Sequence, residues 1–154
     1  MALVLLGCVW LVGPARADGP APLTGRVVKV LPLLLNLRGQ DSLSPSLFER
    51  NAYQFYLRQH TNEISAVRYD VLWRASGAAA TNLTLRLELR AIGPDGGPLL
   101  TNLETNAPAP GYFGRWTMLK LAGDDYKKLG EVVAWRASLW SGDRLLGEQK
   151  SFLW

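Results

Sequence analysis

The sequence predicts an all-β domain, built as an antiparallel two-sheet sandwich with one short helical insertion. Apolar and polar residues alternate in several separate segments, most plainly Leu83, Leu85, Leu87 and Leu89 against Thr84, Arg86, Glu88 and Arg90. Clusters of turn residues separate these segments at intervals typical of antiparallel sandwiches. Only one segment carries a helix signature, whereas a parallel α/β sheet needs helices between its strands. The 154 residues make one domain of ordinary size. A hydrophobic share of 48% can build a core, and 19% charged residues are too few for intrinsic disorder.

The chain opens with an almost continuous apolar run, Leu3 to Val12, followed by Ala15-Arg16-Ala17 and then Asp18-Gly19-Pro20. That order is the signature of a secretory signal peptide cut after Ala17. A run of about ten residues falls well short of the roughly 20 that a membrane span needs. Residues 1–17 are therefore expected to be a leader, 18–24 a flexible lead-in and 25–154 the sandwich, with no transmembrane span in the mature chain. No Lys or Arg precedes the apolar run, which leaves open whether Met1 is the true start. Leu5-Leu6-Gly7-Cys8 resembles a lipoprotein box, but Val9 to Val12 continue the apolar run beyond Cys8, so lipidation is not expected. Cys8 is the only cysteine, and cleavage removes it. The mature domain then relies on its core without a disulfide. The reading is an exported protein, periplasmic or extracellular, of a bacterial envelope rather than a eukaryotic extracellular one.

The first strand is expected over Arg26 to Leu37. It is apolar on both faces for part of its length, and Pro32, which lacks a ladder donor, marks an edge or a bulge. Ser46 to Gln59 is the helix candidate. Ser46 and Glu49 have capping-box spacing after Pro45, and Phe48, Ala52, Phe55 and Gln59 share one face. A rival strand reading uses Tyr53, Phe55 and Leu57. After a turn at His60 to Glu63, a half-buried strand carries Val67, Tyr69, Val71 and Trp73. The leucine strand Leu83 to Arg90 follows. Its leucines favour helix by a few tenths of a kcal/mol each, which four strict alternations outweigh. Asn82-Leu83-Thr84 at its start fits the N-glycosylation triplet by accident of composition. Gly93 to Pro98 is turn chemistry, Leu99 to Leu103 a short strand, and Arg115 to Leu121 another. Gly123 to Lys128 turns the chain, through a single helical turn. Glu131 to Trp140 and Arg144 to Trp154 form the last hairpin around Ser141-Gly142-Asp143.

Leu119-Lys120-Leu121, the corner Ala122 to Tyr126, and the strand through Val133-Ala134-Trp135 resemble the E–F corner of immunoglobulin and fibronectin type III sandwiches. The resemblance implies an immunoglobulin/fibronectin-III-like architecture in which the Tyr126 hydroxyl bonds back to the chain. It concerns architecture and transfers no activity.

Little in the sequence suggests catalysis. His60 is the single histidine, it falls in a turn, and no nucleophile elbow accompanies it. One histidine without a mature cysteine cannot fill a zinc site. Asp124-Asp125 lack EF-hand spacing and are expected to cap a loop. Glu88 is expected to pair across strands with an arginine rather than act on a sugar. No catalytic residue, metal or cofactor is therefore expected. Removing Arg16 lowers the net charge from +4 to +3, and the basic residues are dispersed, which argues against nucleic acid.

The tryptophans are the best functional hint. Trp73 and Trp135 lie on the apolar faces of their strands and are expected in the core. Trp140 lies on the face opposite Trp135, four positions from Arg136. Exposed aromatic and arginine side chains dominate binding surfaces, so Trp140 and Arg136 are the expected binding residues. The function expected is non-catalytic binding or scaffolding of an unidentified protein or glycan. A carbohydrate-binding module is the first alternative and a carboxylate-based hydrolase the second.

Overall fold

A computed structural model describes residues 21–77, 82–111 and 113–154. The leader, its cleavage site and Cys8 lie outside the described residues. Among the described residues, seven antiparallel strands form two sheets. The first holds β1 (Thr24–Asn36), β2 (Ile64–Ser76) and β5 (Arg115–Ala122), in the order β1-β2-β5. The second holds β3 (Leu83–Ile92), β4 (Pro98–Asn106), β6 (Glu131–Ser141) and β7 (Arg144–Lys150), in the order β4-β3-β6-β7. Helix α1 (Leu47–Gln59) and a 3-10 turn at Thr61–Glu63 are inserted between β1 and β2, and α2 (Gly123–Leu129) joins β5 to β6. The architecture is the β-sandwich that the alternations predict.

The alternating positions meet between the sheets. Val67, Tyr69, Val71 and Trp73 of β2 face Leu83, Leu85, Leu87 and Leu89 of β3, and Leu119, Leu121, Ala137 and Leu139 complete this core. Trp73 is fully buried and its indole N–H donates to Thr117 Oγ1 at 2.9 Å, so the polar atom of the largest core side chain is satisfied. Trp135 also turns inward but remains half-buried. Where β1 crosses β7, Gly25 and Gly147 permit the approach. A Cβ on Gly147 would lie 2.8 Å from Arg26 Cα and from the Gly25 carbonyl oxygen.

β1 is an edge strand, as Pro32 requires. Its apolar residues on both faces have two separate tasks. Val27 and Val30 join the inter-sheet core, while Leu33 and Leu35, opposite Arg68 and Ala66, are buried outside it near α1. At Leu34 the free edge is covered by one side chain. Gln54 of α1 accepts from the Leu34 amide at 2.8 Å and donates to the Leu34 carbonyl at 2.9 Å and the Asp41 carbonyl at 2.8 Å. Its amide group thus supplies the pairing that a neighbouring strand would give. Pro32, two residues before Leu34, places its missing N–H on this same edge.

Four expectations need correction or refinement. The helix is real, with Ser46 Oγ accepting from the Glu49 amide at 3.5 Å, and the face it buries is not the one that carries the phenylalanines. Its buried residues are Gln54 and Leu57, whereas Phe48, Ala52, Phe55 and Gln59 are all exposed. The final strand stops at Lys150, because Ser151 leads into a turn closed by the Trp154 amide on the Ser151 carbonyl. β4 runs nine residues rather than five. At the E–F corner, α2 makes nearly two helical turns and points Tyr126 into the core cluster. Its hydroxyl makes no hydrogen bond to the chain among the described residues, so the bond expected at that corner is missing.

Candidate functional site

Two surfaces and one cavity stand out. The first surface is the outer face of the four-stranded sheet, where the sequence places Trp140 and Arg136. Register sets their neighbours: Thr84 lies opposite Trp140, Arg86 opposite Ser138, Glu88 opposite Arg136 and Arg90 opposite Ala134. Arg136 donates from Nε and Nη2 to the two Glu88 oxygens at 2.5 and 2.8 Å, a bidentate pair. That contact, more than burial, holds the Glu88 carboxyl below the ordinary glutamate range and raises the Arg136 guanidinium. The Trp140 indole donates to Ser138 Oγ at 2.8 Å, and the Arg86 guanidinium lies 5.1 Å from the ring centre. Arg86 in turn pairs with Glu104 of β4 at 3.0 Å.

Trp154 joins this face, which the alternation pattern did not indicate, because the turn after β7 carries it back across the sheet. Arg90 stacks 4.1 Å and Arg136 5.0 Å from its ring centre. Trp140 and Arg136 are four residues apart on β6, about 14 Å at roughly 3.4 Å per residue. The two site residues read from the sequence therefore share one solvent-facing sheet face, on which the indoles of Trp140 and Trp154 are both half-buried. Each indole already stacks on arginine.

The second surface is the outward stripe of α1. Phe48 and Phe55 sit seven positions apart on one helical face, 82% and 59% exposed. Leu47 on the helix, and Leu37 and Leu43 on the loop before it, are likewise exposed. Gln54 binds Asp41 in that loop, and Tyr53 accepts from Asn36 Nδ2 at 2.9 Å, so loop and helix form one unit. The signal for this surface is in the sequence, as the shared helical face of Phe48, Ala52, Phe55 and Gln59.

The cavity, of about 750 Å³, is lined by residues of β1, β2, α2 and β6, with Arg58 and Thr61 beside them. Ile64, Val67, Val132 and Trp135 contribute its apolar wall. Tyr69 and Tyr126 present phenols to it, and neither hydroxyl has a hydrogen-bond partner among the described residues. Burial pushes the Tyr69 phenol far above its ordinary range, with the nearby Tyr126 adding to the shift, so both rings stay neutral donors.

His60 closes α1 rather than standing free in a turn. Its ring stacks on Tyr56 with centres 3.9 Å apart, and Nδ1 lies 2.9 Å from the Tyr56 carbonyl oxygen. No group of three or more potential metal ligands occurs among the described residues. No helix among them is long and apolar enough to cross a membrane.

The fold defines the chain as a β-sandwich. It is similar to the crystal structure of a protein from Akkermansia muciniphila, with a TM-score of 0.53 and 9% identity, over 91% of this chain and 73% of that one. At that identity the likeness concerns the fold. No protein-family model and no curated protein matches the chain.

Proposed function

We propose that the chain is an exported, non-catalytic sandwich that docks a partner protein, and that the outward stripe of α1 is its main docking surface. One observation carries the reading: the helix inserted between β1 and β2 turns its aromatic stripe to water and its polar Gln54 to the fold. A soluble domain rarely leaves such a patch uncovered without an interaction to serve. Phenylalanine side chains there bury much area on contact with a partner. Trp140 and Arg136 belong to a second surface, also of the aromatic and arginine composition that interfaces favour. Export rests on the leader pattern, and a purified mature protein should begin at Asp18 by intact mass.

Cross-linking in intact cells tests the docking reading, comparing wild type with Phe48→Ser/Phe55→Ser and with Trp140→Ala. The expected result is one discrete partner adduct that the α1 double variant loses and Trp140→Ala keeps. Loss in Trp140→Ala alone moves the interface to the sheet. An adduct pattern unaffected by either variant removes both surfaces.

A second reading is glycan binding on the sheet face, favoured by Trp140 and Trp154 lying on one side of the sheet. Sugars stack on open indole faces, and here guanidinium groups already lie over both rings, which ranks this reading below the first. Retention on insoluble polysaccharide, lost in Trp154→Ala, would support it.

A further inference from the structure

The inter-sheet cavity is independent of both surfaces. A sandwich interior normally closes to crystal-like density, with few voids larger than a water molecule. Here a half-open cleft of about 750 Å³ remains between the sheets, a size typical of small-molecule sites. Tyr69 is 2% exposed, yet its hydroxyl meets no protein partner among the described residues. The hydroxyl oxygen is not among the buried unpartnered polar atoms of the described residues; it is reached from the cavity, and the hydroxyl is free to donate to an acceptor that enters. Tyr126 offers a second hydroxyl from the α2 side. At the rim stand Arg58 and Lys127, both exposed and without a carboxylate in ion-pair distance among the described residues, and Glu131, which leaves the rim with a net positive charge.

We propose that this cavity binds an apolar carboxylic acid of the medium-chain acyl type. The hydrocarbon lies along Ile64, Val67, Val132 and Trp135, out of water. The carboxylate accepts from the Tyr69 and Tyr126 hydroxyls, and Arg58 and Lys127 supply the countercharge at the mouth. Neutral phenols suit this task, since each donates a hydrogen bond without repelling the anion. A cationic amphiphile is disfavoured, because Arg58 and Lys127 outnumber Glu131 at the rim.

Isothermal titration of the full mature chain with decanoate, decanol and decyltrimethylammonium is the test. Saturable one-to-one binding of decanoate is expected, with decanol at least tenfold weaker and the ammonium amphiphile silent. Tyr69→Phe keeps the ring and should weaken decanoate about tenfold, as loss of a hydrogen bond to a charged group does. Its effect on decanol should be smaller. Val132→Trp fills the wall and should abolish binding of both. Failure of decanoate to saturate overturns the proposal, and so does equal affinity for all three amphiphiles. Should Val132→Trp fail to fold, Tyr69→Phe decides: unchanged decanoate affinity places the ligand elsewhere.

Discussion

Replacing Gln54 with Leu removes three hydrogen bonds while nearly preserving side-chain volume. The Leu34 amide, the Leu34 carbonyl and the Asp41 carbonyl all lose their partner at once. A hydrogen bond of this kind contributes about 1 kcal/mol net, and a donor or acceptor left without one at a buried place costs about 1–3 kcal/mol. Gln54 itself is only 5% exposed, so water reaches these groups poorly. Three groups at the lower figure give a loss of about 3 kcal/mol, a large part of the stability of an ordinary domain. Leucine recovers some of this by burying apolar surface, so a loss of about 2 kcal/mol is expected in urea unfolding. Hydrogen exchange adds a site-specific signature. The Leu34 amide points away from β2, yet in the wild type it should exchange slowly because Gln54 holds it. In Gln54→Leu it should exchange far faster, while Trp73 and Leu87 amides in the core strands stay protected. The variant should also aggregate more readily, since an uncovered edge is a template for pairing. Unchanged protection at Leu34, or a stability loss under about 0.5 kcal/mol, would refute the claim that Gln54 covers the edge at Leu34.

Two further outcomes follow. Glu88 has a carboxyl pKa below its unfolded value, so its pairing with Arg136 stabilises the fold above the unfolded pKa and is lost as pH falls through the lower, folded one. Glu88→Gln should therefore lower stability at neutral pH and flatten the acid limb of a stability–pH curve below the ordinary glutamate range; an acid limb identical to wild type contradicts this. Gly147→Ala should destabilise by about 1–3 kcal/mol in urea unfolding, because its Cβ meets rigid backbone at Arg26 and Gly25 rather than a movable side chain. Retained stability would show that the β1–β7 crossing is looser than this close approach implies.

The strands were legible because their physics is local. Strict alternation in β2 and β3 marks one wet and one dry face, and both proved to be core strands. β4 looked short because its inward positions include Thr101 and Thr105, which blur the contrast between faces. The stripe on α1 was equally legible, but periodicity says only that a stripe exists, not what covers it. In this fold the helix serves a strand edge, which needs hydrogen-bonding groups, so Gln54 and Leu57 turn inward and the phenylalanines are left outside. Trp140 and Arg136 were placed correctly on an outer face by counting along β6. Trp154 escaped because its position depends on a turn after Lys150, where the apolar Phe152 and Leu153 make the sequence look like a continuing strand. The cavity had no sequence signal: Tyr69 and Tyr126 lie far apart in the chain and meet only because α2 folds back over the sheet end.

Urea unfolding of the Phe48→Ser/Phe55→Ser variant tests most directly whether α1 keeps its aromatic stripe free for a partner. Serine and phenylalanine have similar helix propensities, so the change isolates burial. Side chains that face water should give a midpoint within about 0.5 kcal/mol of wild type. A loss of several kcal/mol, the cost of deleting core phenylalanines, would show that the stripe is packed inside the isolated domain and would end the docking account.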